Sequence, residues 1–411
     1  MAASAHAPVS EPESAYAWAR LCASLVLMTL GGIGMYGVSV ALPLVQAEFG
    51  VARSAASFPY AATMIGFGLG GILMGRLSDR FGVMVPVLIG GLCLGSGLIA
   101  AGHAGSLTQF ALAQGLLIGM LGTSATFAPL VADTSLWFTR RRGIAVAICA
   151  SGNYLGGAIW PPVLQYFFDT SGWRATYTGV GLFILLTMIP VGFALRRRPP
   201  SLASLENSTL KANQQKTIDV PPNALLGLLC LAGVACCVAM SMPQVHIVAY
   251  CGDLGFPAAR GAEMLSLMLG FGVISRLLSG WICDHIGGLR TLMLGSALQG
   301  IALLLFLPFD GLASLYVVSA LFGLFQGGLV PSYAIIIREY FPPAQAGAKV
   351  GLVIMCTLLG MALGGWLTGV IFDLTGSYRA AFLHGIGWNL LNLAIASTLL
   401  YRSLRARPLP A

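Results

Sequence analysis

The sequence predicts an all-α membrane protein with twelve transmembrane helices arranged as two pseudo-symmetric six-helix bundles. Three observations carry that prediction. Of 411 residues, 57% are hydrophobic and 9% charged, where a soluble chain has about 25% charged. Twelve apolar runs reach the roughly 20 residues needed to cross a hydrocarbon core of about 30 Å. Landmarks in the first six runs recur in the last six. The chain's 22 basic and 14 acidic residues cannot cover a water-exposed surface of this size. That excludes a soluble enzyme, a nucleic-acid binder and a secreted disulfide scaffold.

The predicted spans are 18–46, 55–76, 83–103, 107–137, 143–168 and 175–195, then 223–250, 261–283, 290–308, 313–338, 346–372 and 379–401. Residues 1–17 form an N-terminal tail, and residues 402–411 a C-terminal one. The first run is too long for a signal peptide and has no basic flank before it, so it stays as a helix. Residues 196–222, rich in Pro, Ser, Asn, Lys and Gln, read as a linker between the bundles 18–195 and 223–401. The triplet Asn207-Ser208-Thr209 within it faces the cytoplasm on this topology and is a chance match to a glycosylation site.

Orientation follows from Lys and Arg, which concentrate in cytoplasmic loops. With the N-terminus inside, 17 of the 22 basic residues are cytoplasmic, Arg20, Arg198, Lys211, Lys216 and Arg407 among them. Four, Arg53, Arg174, Arg260 and Arg379, are outside, and Arg276 alone stays within a span. Both termini are therefore expected in the cytoplasm. The net charge of +8 reads as loop anchoring beside anionic lipid, not as a nucleic-acid surface.

Nine cysteines (Cys22, Cys93, Cys149, Cys230, Cys236, Cys237, Cys251, Cys283 and Cys356) lie almost all in apolar runs, with no CxxC. They read as small packing residues. No Walker-type loop is present to power transport by ATP, and no cluster of His, Asp or Glu sits within the spans, so neither an enzyme nor a cofactor is expected.

The repeat is written in three landmarks. Gly75-Arg-Leu-Ser-Asp79-Arg80-Phe-Gly82 matches Gly280-Trp-Ile-Cys-Asp284-His-Ile-Gly287. Trp137-Phe138 matches Tyr340-Phe341. Phe168-Asp169-Thr-Ser-Gly172 matches Phe372-Asp373-Leu-Thr-Gly376. The offsets stay near 204, which indicates duplicated six-helix units. Two halves related by an axis along the membrane normal are the architecture of rocking carriers.

The loop with Gly75, Asp79, Arg80 and Gly82 resembles the loop signature of the major facilitator superfamily, though Val83 and Met84 stand where a basic pair usually follows. The resemblance implies that Asp79 and Arg80, and Asp284 in the second half, belong to a cytoplasmic gate. Asp133 and Arg142 are the expected partners. The segment Trp137-Phe138-Thr-Arg140-Arg141-Arg142-Gly143, with Ala150-Ser151-Gly152-Asn153-Tyr154, resembles the monocarboxylate porter branch, which includes oxalate/formate-type exchangers. Glu13-Ser14-Ala15-Tyr16-Ala17-Trp18 is similar to the first-helix signature of that branch. The Gly-Pro step of drug/proton antiporters is missing from span five.

Arg276 draws the chemistry. A guanidinium within a span costs at least about 2.5–3.5 kcal/mol and does not shed its proton. It needs an anion or a wet cavity, and its planar fork suits a carboxylate. Gly272 and Gly280, one turn away on either side, leave room for one. The branch also places a substrate-binding Arg here, with an Asp four residues earlier tied to proton coupling. Gly272 occupies that position, so another group must carry the proton or the carrier exchanges anions without one.

His246, which titrates near neutral pH when unperturbed, is the expected proton-entry or outer-gate residue. Asn153, Tyr154, Phe127, Gln326 and Tyr36 are the expected cavity contacts around Arg276. Together these readings give a carrier of a small organic anion, foremost a monocarboxylate, with H+ as the coupling ion. Its partners are the substrate and the lipid bilayer, it works as a monomer, and its place is the plasma membrane (the bacterial inner membrane). The alternatives are a dicarboxylate/formate-type exchanger and a carrier-like solute sensor, for which no signalling domain is visible.

Overall fold

A computed structural model describes residues 13–138, 140–197 and 218–405, without the side chains of residues 343 and 344. Most of the expected linker, its Asn207-Ser208-Thr209 triplet, Arg198, Lys211, Lys216 and Arg407 lie outside the described residues. Twelve helical spans are long and apolar enough to cross a membrane: Ala15–Phe49, Arg53–Phe81, Met84–Gly102, Leu107–Trp137, Arg142–Ser171, Trp173–Phe193, Pro222–Asp253, Ala258–Ile286, Gly288–Leu305, Leu312–Tyr340, Gln345–Thr375 and Tyr378–Arg405. Below they are spans one to twelve. Most run a few residues past their apolar stretch, because the backbone ladder continues until a cap stops it. Among the described residues there is no strand.

One pair of repeat landmarks adopts matching backbones. Gly82 and Gly287 end spans two and eight at φ +83° and +84°. Each N–H reaches back 2.8 Å to a carbonyl, of Ser78 and of Cys283. Gly172 and Gly376, after spans five and eleven, also have positive φ. Only glycine takes such a φ without strain, which is why these positions punctuate both halves alike.

Spans one, four and ten are interrupted. Span one breaks at Gly32, between Ala15–Gly31 and Ile33–Phe49. Span four passes from a π-helical stretch, Ala113–Gly122, through a 3₁₀ turn, Thr123–Thr126, to a straight segment, Ala128–Trp137. Span ten breaks at Gly327-Gly328, between Leu312–Gln326 and Leu329–Tyr340. Such irregular backbone is tolerated at membrane depth only inside protein or beside a cavity. Here it is set by close packing. A Cβ at Gly31 would stand 2.0 Å from Thr126, and one at Gly327 would stand 2.4 Å from the Gly272 carbonyl.

Spans one to six pack as one group and spans seven to twelve as another. The two groups meet chiefly along two seams, span two against span eleven and span five against span eight, with a smaller contact of span one against span seven. The first seam is tight from Gly369, against Arg53 and Ser57, to Gly68, where a Cβ would meet Met355 Sδ at 2.6 Å. The second is tight from Ser266, bonded to the Ala158 carbonyl, to Gly272, packed on Tyr154. Further along, Gly75 and Gly351 on the first seam's helices, and Gly143 and Gly280 on the second's, have open space where a Cβ would go. The halves are tied together by charged groups at the Arg53 end, while these four glycines toward the Asp79 end lack such packing.

Candidate functional site

The tight part of the second seam holds the cation singled out by sequence. Arg276 Nη1 donates to the Ala150 carbonyl of span five at 2.9 Å. Its guanidinium carbon lies 4.3 Å from the centre of the Tyr154 ring. Nε is buried without a hydrogen-bond partner. Among the described residues, no carboxylate forms an ion pair with it. Span eight runs ten residues past Arg276, to Ile286, so the guanidinium begins about 15 Å of helix from that end. A cation–π contact and one carbonyl offset part of the desolvation and leave the Nε–H buried and unbonded.

Around it the structure gathers three of the expected contacts. The Tyr154 ring lies where a Gly272 side chain would be, 2.4 Å from an added Cβ. Asn153 Oδ1 accepts from the Tyr36 hydroxyl at 3.0 Å, tying span one to span five. The Tyr36 ring in turn packs over Gly157. All three side chains are buried. The result is an aromatic and amide surround for one cation, with no acid of its own.

The other expected contacts stand apart from this chain. Phe127, at the break of span four, meets Phe67 of span two edge-on at 6.0 Å. Gln326 ends the first segment of span ten, fully buried, with neither amide atom hydrogen-bonded. A cleft of about 370 Å³ lies not at Arg276 but at the Arg53 end, lined by Pro43, Gln46, Val51, Arg53, Val248 and Asp253 among others.

At the Asp79 end, Asp79, Arg80, Arg142 and Asp284 are exposed. Among the described residues none of them forms an ion pair. Arg142 Nε donates to the Phe138 carbonyl, and Arg80 lies over the Phe81 ring. A Cβ added at Gly75 or Gly82 would stand in open space. Asp133 requires a correction. It does not pair with this loop. Arg20 of span one grips it bidentately, Nε–Oδ2 at 2.8 Å and Nη2–Oδ1 at 2.9 Å. Both side chains are turned into the first six spans, and Trp137 covers the guanidinium at 4.8 Å. Arg20, read from sequence as a loop anchor, is only 3% exposed, so Arg276 is not the only cation within a span.

Two sequence segments far apart in the chain meet here. Glu13 accepts from the backbone N–H groups of Arg140 and Arg141 at 2.7 and 2.8 Å. Tyr16 packs on Trp137, and Trp18 packs edge-on to Phe138. The entry to span one therefore fastens the connection between spans four and five.

Sequence reasoning missed a dense polar group at the Arg53 end. Arg53 forms an ion pair with Asp253 of span seven, Nη1–Oδ2 at 3.0 Å and Nη2–Oδ1 at 3.2 Å. Asp373 of span eleven accepts the backbone N–H groups of Arg53 and Ser54 at 2.9 and 2.8 Å, capping span two from the other half. Arg53 Nη1 also donates to the Tyr378 hydroxyl at 2.5 Å, and His246 Nδ1 lies 3.2 Å from that same oxygen. His246 Nε2 faces the Gly365 carbonyl at 2.8 Å. A signal was present. A cation at a helix N-terminus opposes the helix dipole and calls for an acid nearby.

Two six-span groups around broken helices, meeting at a buried cation, define a polytopic carrier. The model of the Major Facilitator Superfamily matches residues 24–314 and 264–411. The chain belongs to that superfamily, as a multi-pass membrane transporter. It is similar to monocarboxylate transporter 13 of Bos taurus, 30% identical over 309 residues, covering 75% of this chain and 71% of that one. It is also similar to the uncharacterized MFS-type transporter YcxA of Bacillus subtilis, 26% identical over 346 residues, covering 82% and 83%. A solved bacterial homologue of the human lysosomal transporter Spinster, described as inward-facing and occupied, shares the fold: TM-score 0.73, 15% identity, 97% of this chain and 100% of that one.

Proposed function

We propose that this transporter carries a small organic anion, foremost a monocarboxylate, by rocking of the two halves, and that Arg276 binds the carboxylate. The observation that carries this reading is the guanidinium itself. It lies on the seam between the halves, held by a ring and a carbonyl, with a buried, unbonded Nε–H and no acid. A carboxylate is the ligand such a group lacks. The relatives named monocarboxylate transporters support the substrate class. Asn153, Tyr154 and Tyr36 line the same place, while Phe127 and Gln326 would meet the substrate only from a rearranged cavity. The Lys and Arg count puts the Asp79 end in the cytoplasm. Asp79, Arg80, Arg142 and Asp284 then act as gate charges that engage when that end closes.

The coupling ion in this reading is H+, with His246 as the group that takes it up. Gly272 favours a second reading, anion exchange without a proton, because no acid stands beside Arg276. Purified protein in detergent, heated with a panel of small carboxylates, amines and sugars, tests the substrate class. Carboxylates are expected to stabilise it, by about 2.7 kcal/mol at a hundred times Kd, and Arg276→Gln to lose the effect. Stabilisation by amines or sugars alone contradicts the reading.

A further inference from the structure

Among the described residues, the polar group at the Arg53 end is the most connected charged cluster between the halves, and the anion site does not use it. Arg53 belongs to span two, in the first half. Its partners Asp253, Asp373 and Tyr378 belong to spans seven, eleven and twelve, in the second. To open this end, the halves must break that ion pair, the cap on span two and the Arg53–Tyr378 bond together.

The hydrogen bonds behind Arg53 run in one direction. A carbonyl only accepts, so at Gly365 it is His246 Nε2 that carries the proton. Arg53 has only donors, so at Tyr378 it is the phenol oxygen that accepts. The phenol hydrogen is then free to point at His246 Nδ1, which in that tautomer has a lone pair. The chain reads Arg53 N–H to Tyr378 O–H to His246 to the Gly365 carbonyl. It is complete only with a neutral imidazole.

We infer that Arg53, Asp253, Asp373 and Tyr378 form a lock between the halves, and that a proton arriving on His246 releases it. A proton on Nδ1 turns the acceptor of the Tyr378 hydroxyl into a second donor. The phenol then faces donors from both sides, and an imidazolium is set near the Arg53 guanidinium. The groups facing the ring are few. Arg53 approaches from span two and Asp373 from span eleven, and Tyr378 from span twelve. Tyr250 and Asp253 follow one and two turns along span seven, and Tyr60 of span two packs on Gly365. Asp373 is already engaged with two backbone N–H groups and Asp253 with Arg53, so neither is free to neutralise a new cation without leaving the lock. Opening lets the ring reach water, where it binds a proton with ordinary affinity. Proton uptake by the open form then makes lower pH favour it. This inference deepens the reading of His246 as the proton group, and its test needs no substrate. Its failure and that of the anion reading are therefore separate events.

The test places spin labels at Ala47 of span one and Gly252 of span seven, both on the cleft beside Arg53. The labels sit on non-cysteine handles in the full chain, reconstituted in vesicles, and their separation is measured between about pH 8 and about pH 5. A short separation is expected at the higher pH, and a longer population is expected to grow in at the lower. Arg53→Gln is expected to show the longer population at both. His246→Gln, which cannot take up a proton in this range, is expected to lose the pH response. Tyr378→Phe, which keeps the ring and removes the link, is expected to lose it too. A wild-type separation indifferent to pH, a pH response that survives in both His246→Gln and Tyr378→Phe, or an Arg53→Gln protein that stays closed would each overturn the inference.

Discussion

Tyr154 of span five fills the space that a side chain on Gly272 of span eight would need: an added Cβ would stand 2.4 Å from two carbons of its ring. The same ring carries the Arg276 guanidinium at 4.3 Å. Glycine, ring and cation form one unit across the seam between the halves. Where an acid could neutralise Arg276 from its own helix, an aromatic face does part of that work and leaves the charge uncompensated.

The first expected outcome concerns that fit. Gly272→Ala should destabilise the protein by about 1–3 kcal/mol, the usual range for overpacking a filled site. In a Tyr154→Val background, where the space is vacated, the same substitution should cost much less. Unfolding in detergent, measured for the four proteins of this cycle, reads the coupling. Equal costs in both backgrounds would place the strain elsewhere.

The Arg20–Asp133 pair, buried on both sides, should behave as an internal brace. Removing one partner strands a buried charge, at about 3–5 kcal/mol. Arg20→Met and Asp133→Leu alone should therefore each be strongly destabilising, and the double variant should recover most of the loss. Thermal unfolding of the three variants decides this. A pair worth little when broken would imply a wetter site than the structure shows.

Glu13 should hold the connection between spans four and five through the Arg140 and Arg141 amides. Glu13→Gln keeps the shape and weakens these charge-assisted bonds, which are about twice as strong as neutral ones. Limited trypsin digestion of the folded protein should then cut faster after Arg140 and Arg141, several-fold over wild type. Unchanged cleavage would mean that Tyr16 on Trp137 and Trp18 on Phe138 suffice to pin the segment.

Much of the fold was legible because hydrocarbon leaves few choices. Apolar runs of sufficient length must be helices, and Gly82 and Gly287 mark where two of them stop. The repeat was legible for the same reason, since its glycines stand where a helix ends with positive φ in both halves. The site was legible where one residue is costly enough to need an explanation, as Arg276 is. Its tie to Tyr154 was not, because no periodicity says which helix of one half faces which of the other. Arg20 read as a loop anchor because its partner, Asp133, lies 113 residues away. Arg53 was lost among the loop cations for the same reason, with partners 200 to 325 residues distant. Pairings over such separations are set by how the halves meet.

The central claim, that Arg276 is the carboxylate-binding group, meets its most direct test in flux. The protein is reconstituted in vesicles, and uptake of a radiolabelled monocarboxylate is followed for wild type and Arg276→Lys, with and without a pH gradient. The account predicts uptake by wild type and a loss of roughly tenfold or more in the Lys form, because a point charge lacks the fork that meets both oxygens. Uptake that Arg276→Lys leaves unchanged, or transport confined to neutral or cationic compounds, would contradict it.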